Sequence, residues 1–148
     1  MSEAFYSNAS PCRYSALVAC AMSVQALQKE AIVLFVQYPK CSTCRKAKAW
    51  LDDRGIDSAD RHIVEDNPTA DELRTWNEMS GLPLRRFFNT SGMLYRDMQL
   101  KDKLPDMSVD EQLDLLASNG MLVKRPLVVL DDTVLVGFRE KEWEAALL

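Results

Sequence analysis

Two cysteines almost one helical turn apart, Cys41 and Cys44 in Cys41-Ser42-Thr43-Cys44, are the residues of this chain best suited to covalent chemistry. A thiol attacks a disulfide only as thiolate, and a free cysteine, titrating near about 8.5, is mostly protonated at neutral pH. The pair follows an apolar run, Ala31-Ile32-Val33-Leu34-Phe35-Val36, and opens a basic stretch, Arg45-Lys46-Ala47-Lys48-Ala49-Trp50-Leu51. A strand feeding a helix here places Cys41 at the helix start, where unpaired N–H groups and the positive end of the dipole favour an anion. Lys40, Arg45 and Lys46 add positive charge nearby. Cys41 is therefore expected to be the nucleophile and Cys44 the resolving thiol of a dithiol–disulfide exchange. The alternative is half of a structural zinc site, which needs four protein ligands. Only Cys12, Cys20 and the single histidine, His62, are left to complete one, at unfamiliar spacing, so no metal is expected.

The elements around this pair fit one domain. At 148 residues and 47% hydrophobic, the chain can bury a sizeable core and leaves little room for a second domain. A net charge of -4 argues against direct nucleic-acid binding, which needs a basic face to neutralise phosphates. The longest apolar stretches are strand-sized, so no membrane span is expected. Leu17-Val18-Ala19-Cys20 resembles a lipoprotein cleavage site, but Met1 to Ala16 supplies no apolar segment before it. Of the four cysteines two lie in this leader, which is not a spread disulfide framework, and a cytoplasmic location is expected. Residues 1–30 are read as a loosely ordered leader and residues 31–148 as the single domain.

Along the domain, strand 31–36 leads into a helix from about Thr43 to Arg54, ended by Gly55. Arg61–Glu65 reads as a second short strand. Thr69 and Glu72 form a capping box that opens a helix with Leu73, Trp76 and Met79 on one face, and Ser80-Gly81 stops it. Pro83 begins a short helical piece carrying Phe87 and Phe88, and Asn89-Thr90-Ser91-Gly92 is a turn. A short helix over Leu100–Leu104 precedes Pro105. Ser108 and Glu111 make a second capping box, whose helix is apolar at Leu113, Leu115 and Leu116 and closes at Asn119-Gly120. Leu127–Leu130 and Thr133–Val136 flank Asp131-Asp132 with the spacing of a two-residue hairpin, and a last helix starts near Glu140. The order βαβ, helices, ββα predicts an α/β fold with a mixed sheet.

Three separated segments resemble one family: Tyr38-Pro39-Lys40-Cys41-Ser42-Thr43-Cys44-Arg45-Lys46-Ala47, Phe88-Asn89-Thr90-Ser91-Gly92 and Lys124-Arg125-Pro126-Leu127. They are similar to the arsenate reductase–Spx (ArsC/Spx) family, and within it to uncharacterised ArsC-like members that carry a C-x-x-C. The resemblance implies a thioredoxin-like fold, a mixed four-stranded sheet with a helical insertion between its βαβ and ββα halves. It also implies a cis Pro126 facing the cysteine loop, a minority state for X-Pro bonds in general.

Two branches of that family imply different functions. Glutaredoxin-coupled arsenate reductases use one cysteine in His-Asn-Pro-x-Cys-Gly-x-Ser and three oxyanion-holding arginines. Cys41 and Arg125 match that pattern. Gln37 replaces the histidine, Cys44 the serine, Asn89 the insertion arginine, and the third arginine falls close to Gly137, with Arg139 two residues on. Losing guanidinium partners weakens anion binding, so efficient arsenate reduction is not expected. The Spx branch uses its C-x-x-C as a redox switch and binds the α subunit of RNA polymerase. Its charged extension after the last core helix is not expected here, where the sequence ends at Leu148.

The leading expectation is thus a thiol–disulfide oxidoreductase built on Cys41, Cys44 and Arg125. Arg125 would stabilise the thiolate and an incoming anionic or glutathione-like group. Asn89, Pro126 and Arg139 are weaker substrate-binding candidates; Asn89 also suits an ordinary turn, and Arg139 a solvated first helical turn. No bound cofactor is expected, and glutaredoxin, thioredoxin or glutathione would serve as external reductant. The second expectation is an Spx-like switch on RNA polymerase. His62, the Arg85-Arg86 pair and the aromatics Trp50, Trp76, Phe87 and Phe88 read as surface or core residues.

Overall fold

The computed structural model describes residues 32–148, so the leader lies outside the described residues. Alternation organises the sheet from its first strand. In β1 (Val33–Gln37), Val33 and Phe35 belong to one apolar cluster while Leu34 and Val36 join another, as the period of two requires. In β3 (Leu127–Val129) and β4 (Val134–Val136) the central Val128 and Leu135 join the Phe35 cluster, and their neighbours face the opposite side. The strand order is β2-β1-β3-β4, with β2 (Ser58–His62) parallel to β1 and the other pairs antiparallel. This is the expected thioredoxin-like mixed four-stranded sheet.

Helices cover both faces. On the Phe35 side lie α1 (Ser42–Asp53), through Ala47, Trp50 and Leu51, and α6 (Glu140–Leu147), through Trp143. Phe35 and Trp143 are fully buried, each burial worth roughly 1.5–3 kcal/mol for a side chain of this size. The insertion covers the other face with α2 (Ala70–Ser80), a 3-10 turn Leu84–Phe87, α3 (Met93–Asp97), α4 (Leu100–Lys103) and α5 (Val109–Ser118). Both expected capping boxes form, Thr69 with Glu72 and Ser108 with Glu111. Gly81 ends α2 in the left-handed conformation at φ 63°, and Pro105 sits within a further 3-10 turn after α4.

Two expectations need correction. The second strand is Ser58–His62, not Arg61–Glu65. Ile63 and Val64 suggested a strand, but β2 is a sheet edge, where polar residues suffice and the register with Val33–Gln37 decides the span. The chain leaves the ladder at Ile63, whose N–H donates to the Gln37 carbonyl, and His62 Nδ1 accepts from the N–H groups of Val64 and Glu65 to close the turn. Gly120, in turn, is not a left-handed helix cap. It begins a 3-10 turn, and a Cβ there would collide with the Ile63 carbonyl oxygen, so close backbone approach demands glycine. The β3–β4 connection is the expected two-residue hairpin, closed by Leu130 N–H to the Thr133 carbonyl at 2.9 Å.

Candidate active site

Cys41 is the N-cap residue of α1, and its own N–H donates to the Tyr38 carbonyl at 2.9 Å, which folds the loop between β1 and the helix. Both Cys41 and Cys44 are free thiols, but their surroundings differ. Cys41 is partly exposed at the helix start, whereas Cys44, three residues into the same turn, is fully buried.

That difference separates their acidities. Partial burial pushes the Cys41 thiol up, but the backbone N–H and thiol of Cys44, the Arg125 guanidinium and the Thr43 N–H together outweigh it and leave its pKa below the ordinary value. Burial also dominates at Cys44; the Tyr38 N–H opposes it, the neighbouring Cys41 adds to it, and the thiol is pushed up to about 12. Of the two sulfurs, the outer one ionises first as pH rises. The exposed Lys40, Arg45 and Lys46 are not among its leading influences, contrary to their expected part. A charge brought in from the β3 side takes their place.

Arg125 is that charge. Its guanidinium carbon lies 5.1 Å from the centre of the Tyr38 ring, and Nη1 reaches the Met121 carbonyl at 3.5 Å and the Met121 sulfur at 3.9 Å. Its Nε is buried without a hydrogen-bond partner, and no carboxylate pairs with it among the described residues. Its positive charge is therefore left for the thiolate and for whatever approaches it. The Arg125–Pro126 bond is cis, and the buried Pro126 accepts the Gly137 N–H at 2.9 Å.

A cavity of about 360 Å³ opens beside Cys41, large enough for a small ligand. Asn89, Ser91 and Gly92 form one wall, Lys124 and Arg125 another, and Val136 to Arg139 a third. The tertiary fold thus brings Cys41, Asn89, Arg125 and Arg139 around one space; Pro126 does not line it. Asn89 is buried and tied into the framework, donating from its backbone to the Leu122 carbonyl at 2.7 Å and from Nδ2 to the Met121 carbonyl at 3.4 Å. Gly92 lets the turn close, since a Cβ there would stand 2.7 Å from Asn89 Nδ2. Arg139 occupies the N-cap position of α6 and pairs with Glu142 at 2.7 Å. Its wall is held by Phe138 packed edge-on against Trp143, whose Nε1 donates to the Gly137 carbonyl.

A model of the ArsC family matches residues 36–146, the span that contains every one of these side chains. The chain belongs to the ArsC family. Among its family relatives is an uncharacterised Bacillus subtilis protein, YusI, 56% identical over 110 residues, which are 74% of this chain and 93% of YusI. The crystal structure of an ArsC-family related protein from Bacteroides fragilis matches with a TM-score of 0.75 at 57% identity, covering 76% of this chain and 95% of that one. The regulatory protein MgsR of B. subtilis is 29% identical over 73% of this chain and 84% of its own length.

Within the ArsC fold, three contributors to the site escape a reading of the sequence. Tyr38 and Met121 hold Arg125, and Lys124 lines the cavity. Tyr38 and Lys124 lie inside matching motif segments, which was the available signal; Met121 carried none. His62 stacks edge-on against Tyr38 at 5.7 Å and spends Nδ1 on its own turn.

Proposed function

We propose that this protein is a thiol–disulfide oxidoreductase in which Cys41 attacks and Cys44 resolves. The observation that carries the reading is the opposed acidity of two thiols in one helical turn, lowered at the partly exposed Cys41 and raised at the buried Cys44. The Cys41 thiolate attacks one sulfur of a substrate disulfide; that S–S bond breaks, and the departing thiolate takes up a proton. Cys44 then loses its proton and attacks Cys41 in the mixed disulfide, which releases the second substrate thiol and leaves a Cys41–Cys44 disulfide. Two electrons pass to the substrate, and an external thiol reductant such as glutathione, glutaredoxin or thioredoxin returns them. A reducing cytoplasm suits a resting dithiol.

The high pKa of Cys44 keeps it protonated until the mixed disulfide forms. Attack by Cys41 removes the negative charge that opposed ionisation of Cys44, so the second step becomes easier once the first is complete. Arsenate is outside this proposal: by resemblance to arsenate reductases Asn89 stands at the position of one oxyanion arginine, and Arg139 is paired with Glu142.

Iodoacetamide alkylation against pH tests the assignment. Cys44→Ser should react with a midpoint below that of ordinary cysteine, and Cys41→Ser should react slowly until strongly alkaline pH. A more acidic Cys44 would overturn it. The Cys44→Ser variant should also accumulate mixed disulfides with its substrates.

Similarity to MgsR favours a second reading, in which the same disulfide switches attachment to a protein partner such as the RNA polymerase α subunit. There Cys44→Ser would keep partner binding and lose only its redox control, without trapped intermediates.

A further inference from the structure

Beyond the cavity beside Cys41 lies a second one of about 350 Å³. The two share Lys124, Val136 and Arg139 as a common wall, and the pair, taken together as a groove, extends from the nucleophile to the 3-10 turn of the insertion. Its charge is one-sided. Arg85, Arg86, Lys124 and Arg139 line the far half against a single carboxylate, Glu142, which Arg139 already engages at 2.7 Å. Arg85, Arg86 and Lys124 have no ion pair among the described residues. In a chain of net charge -4 this is a local reversal of sign. Besides the charged residues and Thr90 the lining is apolar, from Leu82 and Pro83 to Phe88 and Val136.

We infer that this groove seats an extended acidic peptide segment flanking the reactive cysteine of a protein disulfide. The inference rests on the exchange chemistry proposed above and names its substrate class. Length argues for a peptide: a small anionic disulfide fills the cavity beside Cys41 and leaves Arg85 and Arg86 without a partner. Charge argues for acidic side chains: three cations without an ion pair among the described residues attract carboxylates and repel a basic segment, which acts on both encounter rate and selectivity. The apolar part of the lining accepts the peptide's aliphatic stems.

The test uses short peptides of equal length, each carrying one cysteine as a mixed disulfide with thionitrobenzoate and flanked by either Asp/Glu or Lys. Release of thionitrobenzoate by the full chain should be about tenfold or more faster for the acidic peptide at low ionic strength. The ratio should fall toward one in about 1 M salt, where the screening length is about 3 Å. It should fall equally in the exposed double variant Arg85→Glu/Arg86→Glu. A ratio near one in the unaltered chain, or one unmoved by this charge reversal, overturns the inference. So does an equal slowing of glutathione disulfide reduction in the double variant, which would make the occupant a small anion.

Reduction of uncharged hydroxyethyl disulfide by the unaltered chain reports on the thiol chemistry alone. If that fails, the exchange reading fails, and the groove is still decided by fluorescence anisotropy with the same peptides carrying serine for cysteine. Tighter binding of the acidic peptide, lost in the double variant, supports the groove; equal binding of both peptides overturns it.

Discussion

Two arginines of this fold, Arg61 on the edge strand β2 and Arg125 just before β3, are both largely surrounded by protein and are used in opposite ways. Arg61 is saturated. Its two terminal nitrogens meet both oxygens of Glu72 at 2.9 and 3.0 Å, Nε reaches Asp66 Oδ2 at 3.1 Å, and its guanidinium lies 5.9 Å from the Trp76 ring centre. The same Glu72 closes the capping box of α2, so one carboxylate locks strand, turn and helix together. Arg125 has an aromatic face, a carbonyl and a sulfur, and no carboxylate among the described residues. An arginine whose charge is neutralised holds a fold together. One held in place by neutral groups keeps its charge available to a sulfur anion.

The largest expected effect breaks the structural member of this pair. Arg61→Met leaves Glu72 without its bidentate partner and should cost about 2 kcal/mol in denaturant unfolding, less than a fully buried pair because Glu72 is partly exposed. The pH profile of Cys41 alkylation should not move. The sign of the pH dependence follows from Glu72, which the Arg61 guanidinium above all holds below the usual carboxylate range, with burial opposing and the Thr69 backbone assisting. A carboxylate depressed in the folded state contributes stability that is present above its unfolded pKa and is lost as pH falls through the folded one. Arg61→Met should flatten that acid limb, and an unchanged limb would assign the acid sensitivity elsewhere.

Arg125→Met should give the reverse pattern. Stability should stay within about 0.5 kcal/mol, since the buried Nε that lacks a partner is removed with the charge. Alkylation of Cys41 at neutral pH should slow about tenfold, the scale of one hydrogen bond to a charged group, with its midpoint moving up. A large loss of stability with unchanged thiol reactivity would show that Arg125 is a second structural arginine.

The smallest effect sharpens the contrast. Tyr38→Leu removes the ring beneath Arg125 and should slow Cys41 alkylation about threefold, in keeping with a partly exposed cation–π contact. In an Arg125→Met background the same substitution should have no further effect on the thiol. Additive effects would mean that Tyr38 acts on the cysteine loop directly.

Local signals were legible wherever chemistry is local. Both capping boxes, the glycine stop at Gly81 and the hairpin at Asp131-Asp132 follow from a few adjacent residues, and each forms as read. The second strand was misplaced because an edge strand carries little hydrophobic pattern, and its position depends on pairing with β1. Gly120 was misread for a similar reason: its requirement comes from Ile63, a residue distant in the chain. The positive charge at Cys41 follows the same rule: the part expected of Lys40, Arg45 and Lys46 is not among the leading influences, whereas that of Arg125, expected from the family resemblance, is. The lysines and arginines next to the motif were visible in the sequence, but the guanidinium among the leading influences arrives through the β1–β3 pairing.

The sequence by itself determined the dithiol, its strand-to-helix setting, the order of elements that gives a mixed sheet and the family to which the chain belongs. These rest on residue types and short spacings, which survive without knowing what packs on what. Only the tertiary structure decided that the partly exposed thiol is the more acidic while the other is buried and pushed up, and that Arg125 has no carboxylate partner among the described residues. It alone set the insertion's Arg85 and Arg86 in a cavity that shares a wall with the Cys41 cavity. Burial and electrostatics depend on distances between segments far apart in the chain, and only folding sets those distances.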